Sequence, residues 1–436
     1  MTDGMSSTAE RFHVVNLNLN VRGLGPSATL AINDRSNELR RQGRRVFKLG
    51  LGQSPFPVPL PVVEALKANA FRKDYLPVKG LPELREAVAD YHRRRDHVPA
   101  TGADVLVGPG SKELMFLLQL VYYGDLLIPT PAWVSYAPQA QIIGRRVNWI
   151  PSRSSGGWRL MPDELDRLCR PDPDRPRIVV LNYPNNPTGL TYDPAELEAL
   201  AAVARRYKVI LLSDEIYGEL HHRGEHVSIA RYYPEGTIIS GGLSKWCGAG
   251  GWRLGTFTFP RSLRWLLDAM AAVASETYTS TSAPIQHAAV VAFRGGSEID
   301  RYLRCARRVL RALGRRCARS LQHAGVDVHT PQGAFYLFPD FGPFAGKLRE
   351  RGIRTSREFC ERLLEETGVA VLPGEEFGRP PRELTARLAY VDFDGGHCMS
   401  SAESGQMDGE LDESFLELHC KNVLEAIDEI VRWLRS

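Results

Sequence analysis

Three things are scarce in this chain. Paired cysteines are the first. Cys169, Cys247, Cys305, Cys317, Cys360, Cys398 and Cys420 make an odd set of 7 in 436 residues, and no two stand as C-x-x-C. That pattern argues against a zinc centre or a disulfide framework and points to free thiols in a reducing cytoplasm, with no metal expected. Long apolar runs are the second scarcity: none reaches the ~20 residues that cross a bilayer. The opening residues also lack the basic–apolar–small order of a secretion signal, so no membrane is expected as a partner. Excess charge of one sign is the third. Lys and Arg number 55 against 51 acidic residues, a net charge of +4. The densest basic runs, Arg40–Arg45 and Tyr91–Arg95, read as solvated faces or ends of helices, and no nucleic acid is expected as a partner. The spacing G-x-x-x-x-G-K-[ST] is missing, which argues against a P-loop nucleotide site. His221 and His222 read as a solvated pair on a turn.

What the chain does have is a glycine-dense stretch around a lysine and an arginine: Ser244-Lys245-Trp246-Cys247-Gly248-Ala249-Gly250-Gly251-Trp252-Arg253-Leu254-Gly255. Glycines permit tight turns and close approach of backbone to a ligand. A lysine amine can form a Schiff base with a carbonyl, and an arginine fork can grip a phosphate. Pyridoxal phosphate (PLP) carries both groups.

The surrounding chain alternates strand and helix. Strand-like runs at 104–107, 125–128, 177–181, 209–212 and 237–240 are separated by helical runs such as 112–122 and 194–207. Such alternation implies an α/β fold with a mostly parallel sheet covered by helices on both faces. In such sheets ligands bind beyond the carboxyl ends of the strands. Gly110, Asn186, Asp214 and Lys245 each fall at or just past such an end. A long helix is expected over 297–323. The remainder reads as a smaller α+β domain, with helices at 359–367 and 422–434 and a polar, Gly- and Ser-rich surface loop over 395–412. The domains expected are an N-terminal arm (1–26), a small α+β domain (27–60 and 296–436) and a large α/β domain (61–295).

Three further segments accompany the lysine loop, in order: Val107-Gly108-Pro109-Gly110-Ser111-Lys112-Glu113-Leu114, Leu181-Asn182-Tyr183-Pro184-Asn185-Asn186-Pro187-Thr188-Gly189 and Ser213-Asp214-Glu215-Ile216-Tyr217. Together the four resemble the fold-type I, PLP-dependent aminotransferases of class I/II, from about Ser27 to the C-terminus. The resemblance implies Lys245 as the Schiff-base lysine and proton shuttle, and Asp214 as the partner of the protonated pyridine nitrogen. It implies Asn186 and Tyr217 as hydrogen-bond partners of the ring oxygen, and Trp133 as the aromatic stacked on the ring. Gly110, Ser111, Lys112, Ser244 and Arg253 would cradle the phosphate. Many relatives have a serine where this chain has Gly242, so one phosphate contact is missing or comes from backbone. Tyr75 would reach the partner subunit's phosphate, which implies a homodimer with shared sites. Arg387 would hold the substrate carboxylate, with Gly52 close by and Arg382 as a weaker candidate.

The family reaction is ping-pong transfer of an amino group from an α-amino acid to a 2-oxo acid. Lys112 matches a lysine that one branch uses for acidic side chains, so aspartate, glutamate or 2-oxoglutarate is favoured as one partner. Cofactor motifs alone leave open β- or γ-elimination, replacement or carbon–carbon bond formation on the same scaffold. A PLP-sensing transcription regulator would carry a DNA-binding domain ahead of this region, and the roughly two dozen residues there show no helix-turn-helix pattern. Replacing Lys245 with Ala is expected to abolish turnover, assayed as oxo-acid release; activity near wild type would remove the lysine from the chemistry.

Overall fold

The computed structural model describes residues 17–404 and 409–436. Most of the expected N-terminal arm therefore lies outside the described residues. The centre is a seven-stranded sheet of β1 (Val105–Gly108), β2 (Asp125–Thr130), β3 (Val147–Pro151), β4 (Arg177–Asn182), β5 (Ile210–Asp214), β6 (Thr237–Gly242) and β7 (Gly255–Thr258). Their order is β1-β7-β6-β5-β4-β2-β3. Strand β7 alone runs antiparallel to its neighbours; the other pairings are parallel.

Covering both faces explains the sequence of these strands. On β4, Ile178 and Val180 join a core with Leu114, Leu118, Leu266 and Met270, whereas Val179 and Leu181 join another with Leu197, Leu200 and Ala204. On β5, Ile210 and Leu212 face the first core and Leu211 the second. Alternate residues point to opposite faces, so a strand buried on both sides is apolar throughout. The polar residues come at the strand ends: Asn182 pairs in register with Asp214, and Asp214 with Ser240.

The smaller α+β part holds a three-stranded antiparallel sheet (Tyr336–Leu337, Leu372–Pro373 and Ala386–Ala389) and a parallel pair of Phe47–Lys48 with Val369–Ala370. Helix Ser356–Thr367 shows how local sequence sets its limits. The Thr355 hydroxyl accepts from the Glu358 N–H, and the Glu358 carboxylate accepts from the Thr355 N–H, forming a capping box. Gly368 ends the helix at φ +77, a conformation that costs glycine little. Helix α1 (Ser111–Val121) follows β1, and helix α2 spans Ser297–His323 with the expected bounds.

Two expectations are overturned. The polar stretch 395–412 is not all loop: Gly395–Ser404 forms helix α3, packed on α2. Cys398, Met399 and Ala402 are buried at helical spacing, and Asp394 Oδ1 accepts from the His397 N–H at 3.0 Å. Burial of that face outweighs weak Gly and Ser propensity. His221 and His222 are buried, not solvated. The His222 ring meets the carbonyls of Pro331 and Ala334, and His221 Nδ1 accepts from the Glu225 N–H. Burial pushes the His222 ring down to about 4 and the His221 ring to about 3.

All seven thiols are free and buried. No helix among the described residues is long and apolar enough to cross a membrane. Replacing the fully buried Leu211 with Ala removes packing on the sheet; the loss expected in a denaturant titration is about 2–5 kcal/mol.

Candidate active site

Four of the expected site residues lie at or just past the carboxyl ends of β1, β4, β5 and β6. Asp214 ends β5, and Asn186 lies four residues past the end of β4. Lys245 follows β6 by three residues, and Gly110 follows β1 by two.

The Asp214 carboxylate is buried with no cation in ion-pair reach among the described residues. Burial pushes it up to about 6, against the opposing hydrogen bonds from Tyr136, Ser240 and the Ile216 N–H. The Tyr136 hydroxyl donates to Oδ2 at 2.6 Å and Ser240 to Oδ1 at 3.3 Å. The Asn182 side chain donates to the Asp214 carbonyl at 2.8 Å and accepts from the Asn186 N–H at 2.7 Å. Tyr136 was missed by the sequence reading; its only signal is its place three residues after Trp133, against which it packs edge to face.

The Lys245 amine donates to the Gly52 carbonyl at 2.6 Å. It lies 5.6 Å from the Tyr217 ring centroid and 5.9 Å from that of Phe335. Burial, then the positive charge of Arg387, pushes its pKa down to about 8; Lys112 and Arg253 contribute in the same direction, and Asp214 opposes. The Tyr217 hydroxyl shares a 2.7 Å hydrogen bond with that of Tyr336, a second residue missed from sequence. A Cβ on Gly52 would lie 2.0 Å from the Tyr336 hydroxyl oxygen, so glycine is required there by that close approach.

Arg387 is 1 % exposed yet faces no carboxylate among the described residues. Its guanidinium donates to Asn186 Oδ1 at 3.1 Å and to the Gly50 carbonyl, lies against the rings of Tyr336 and Phe377, and leaves Nε without an acceptor. Arg382 is exposed, which removes it as a companion.

Gly110 caps α1 at φ +91, and Ser111 and Lys112 open that helix, where backbone N–H groups are free to meet an anion. Arg253, at φ +55, reaches the Gly250 carbonyl at 2.9 Å and the Pro109 carbonyl at 3.2 Å. Its fork so bridges the lysine loop and the start of α1. At Gly242, φ is +151 and a Cβ would lie 2.7 Å from the Leu254 carbonyl oxygen, leaving no room for a side chain. Lys112 Nζ sits 5.1 Å from the Trp133 ring centroid and has no carboxylate partner among the described residues. Ser244 is half-buried beside Lys245. Tyr75 is 89 % exposed on the single chain.

These residues fit PLP in its donor chemistry. A buried carboxylate lacking a cation suits a protonated ring nitrogen, an amine lowered toward neutrality suits an aldehyde, and a helix start beside an arginine fork suits a phosphate. A parallel sheet with a lysine at this place defines a fold-type I PLP enzyme. Aminotransferase class I and II is the family whose model matches, over residues 44–390. An aspartate aminotransferase of Geobacillus stearothermophilus is 36% identical over 380 residues, 85% of this chain and 93% of the relative. An aspartate/prephenate aminotransferase of Thermus thermophilus is 34% identical over 367 residues, 83% and 91% of the two chains. The solved aspartate aminotransferase from Thermus thermophilus with maleate superposes with a TM-score of 0.81 at 31% identity, covering 96% of this chain and all of that one. The chain belongs to the class I and II aminotransferases, and pyridoxal 5'-phosphate is its cofactor. Elimination, replacement and bond-forming chemistry, left open by the sequence, are not favoured.

The Lys245 amine is therefore expected to titrate near pH 8 in the cofactor-free protein. Mass-spectrometric reductive methylation should show its reactivity rising through that pH. Arg387→Gln removes a positive charge and should move the midpoint upward; an unchanged midpoint would detach Arg387 from Lys245.

Proposed function

We propose that the protein transfers an amino group between an acidic α-amino acid and a 2-oxo acid. The observation that carries this reading is Arg387, a buried guanidinium without a counter-ion beside Lys245 and Asn186. A substrate carboxylate supplies the missing anion through a bidentate pair. Gly50 and Gly52 keep the backbone close at that point, with their carbonyls on Arg387 and Lys245.

Asp214, oriented by Tyr136 and Ser240, holds the proton of the cofactor's ring nitrogen. Asn186 and Tyr217 would hold the ring oxygen, and Trp133 would cover the ring. Gly110, Ser111, Lys112, Ser244 and Arg253 take the phosphate. Lys245 would hold the aldehyde end of PLP, whose ring would supply the means to withdraw electrons from the substrate's α-carbon. Lys245, its amine lowered toward neutrality by burial and Arg387, would take the proton from that carbon and return it. Lys112, exposed on the single chain and free of any carboxylate among the described residues, is placed to meet a second, distal carboxylate. Its charge reaches Lys245. The names of the relatives, and the maleate in the Thermus thermophilus structure, support a dicarboxylic partner.

The exposed Tyr75 supports a homodimer in which this residue enters the partner's phosphate site. Seven buried free thiols support a reducing, cytoplasmic location. We further assign an arm to residues 1–26, a small domain to 27–60 with 296–436, and a large domain to 61–295.

The test is to add single amino acids to the PLP-loaded protein without any oxo acid, following its absorption spectrum. Release of one equivalent of the matching 2-oxo acid is expected with aspartate or glutamate; a product other than that oxo acid would overturn the reading. A charge-assisted contact is worth roughly 1.5–3 kcal/mol, or about ten- to a hundredfold. Lys112→Ala should cost that much in kcat/KM for acidic substrates and much less for neutral ones. Equal losses would withdraw the acidic preference.

A further inference from the structure

Helix α2 carries eight arginines, at 301, 304, 307, 308, 311, 315, 316 and 319, and its only acids are Glu298 and Asp300 in the first turn. Arg304, Arg308, Arg311, Arg315 and Arg319 recur at spacings of three and four and so share one face. Like charges at that spacing are unfavourable on an isolated helix. Here they line one wall of a cleft of about 970 Å³, closed opposite by Gly409–Glu413 and bordered by His222 and by Arg223 and Glu225, which pair with each other. That volume is at the upper end of small-molecule sites.

The cleft's positive charge is only partly met. Glu410 Oε1 accepts from Arg315 at 2.9 Å and lies 3.2 Å from Arg311, although its side chain is 74% exposed. Arg308 donates to the carbonyls of Gly409 and Ala402, and Arg316 pairs with Glu413. Arg304 and Arg319 have no partner among the described residues, and Arg311 Nε is buried without an acceptor. The residual field is felt by a neighbour: burial lowers the His222 pKa first, and Arg311 and Arg315 lower it further, although its two backbone contacts act the other way.

We propose that this cleft binds a small anion carrying several phosphate groups, and that Glu410 is the internal anion it displaces. Guanidinium forks match phosphate oxygens in pairs. From Arg304 to Arg311 the helix advances about 10 Å, a span suited to a short chain of phosphates. Gly409–Glu413 closes the opposite side, which suits a compact ion better than a duplex. The site is separate from the residues assigned to catalysis and does not depend on the substrate proposed above.

The test is calorimetric titration of the PLP-loaded enzyme with sodium tripolyphosphate, and in parallel with ATP, at fixed low salt. Bound PLP keeps the cofactor's phosphate cradle occupied. Saturable binding at one site is expected. The double substitution Arg304→Ala/Arg311→Ala should weaken it about tenfold. Glu410→Gln should tighten it about two- to fivefold. Turnover should stay at the wild-type level in both variants, showing that they fold. Tighter binding of ATP would identify a nucleotide as the natural source of the phosphates, and tighter binding of tripolyphosphate an inorganic one. Absence of saturable binding, affinity unchanged in both variants, or loss of binding when the substrate site is saturated would each overturn the proposal.

Discussion

The arrangement depends on charges that are buried without being neutralised. Asp214 and Arg387 carry opposite signs in one site, yet neither forms an ion pair among the described residues. Each is held instead by neutral groups: Asp214 by Tyr136 and Ser240, Arg387 by Asn186 and the Gly50 carbonyl. Burying a lone charge is costly, and neutral hydrogen bonds recover only part of that cost. The balance is available to a ligand that brings a cationic ring nitrogen to one end and a carboxylate to the other. The same lack of compensation acts on Lys245, where burial and Arg387 together favour the neutral amine.

The sheet explains why these groups can be kept apart. Asp214 ends β5, Lys245 follows β6, and Arg387 stands on the strand Ala386–Ala389 of the smaller sheet, while the central strands are clamped by apolar cores on both faces. Asn182, Asp214 and Ser240 occupy adjacent registers at the point where apolar sequence gives way to polar. Rigid strands thus fix the spacing, while the loops supply the functional groups.

Much of this was legible beforehand. The runs Ile178–Leu181 of β4 and Ile210–Leu212 of β5 are apolar at every position, which is what a strand covered on both sides requires. Helix α2 shows an unbroken 3.6-residue period, and its ends were read correctly. The four motifs pointed to Lys245, Asp214, Asn186 and Arg253, and the family resemblance added Arg387; the structure sets the first four at or past the ends of central strands and brings Arg387 to Asn186 from the smaller sheet. What escaped were contacts made across long sequence distances. Tyr136 and Tyr336 are ordinary tyrosines in the sequence; only folding brings their hydroxyls to Asp214 and Tyr217. Helix α3 was hidden because Gly and Ser dominate its composition, while three buried side chains at helical spacing decide its conformation. His221 and His222 were misplaced for a related reason, since the backbone carbonyls that receive the His222 ring come from more than a hundred residues away.

The burial of all seven thiols has a practical consequence. Thiols shielded in the native state react with alkylating reagents only when the surrounding structure opens. Cys169 reports on the core beneath β4 and β5, Cys247 on the packing behind the lysine loop, Cys305 and Cys317 on α2, and Cys360, Cys398 and Cys420 on the smaller part. The chain therefore carries its own set of labels, spread over its layers, by which the order of opening can be followed without adding a probe.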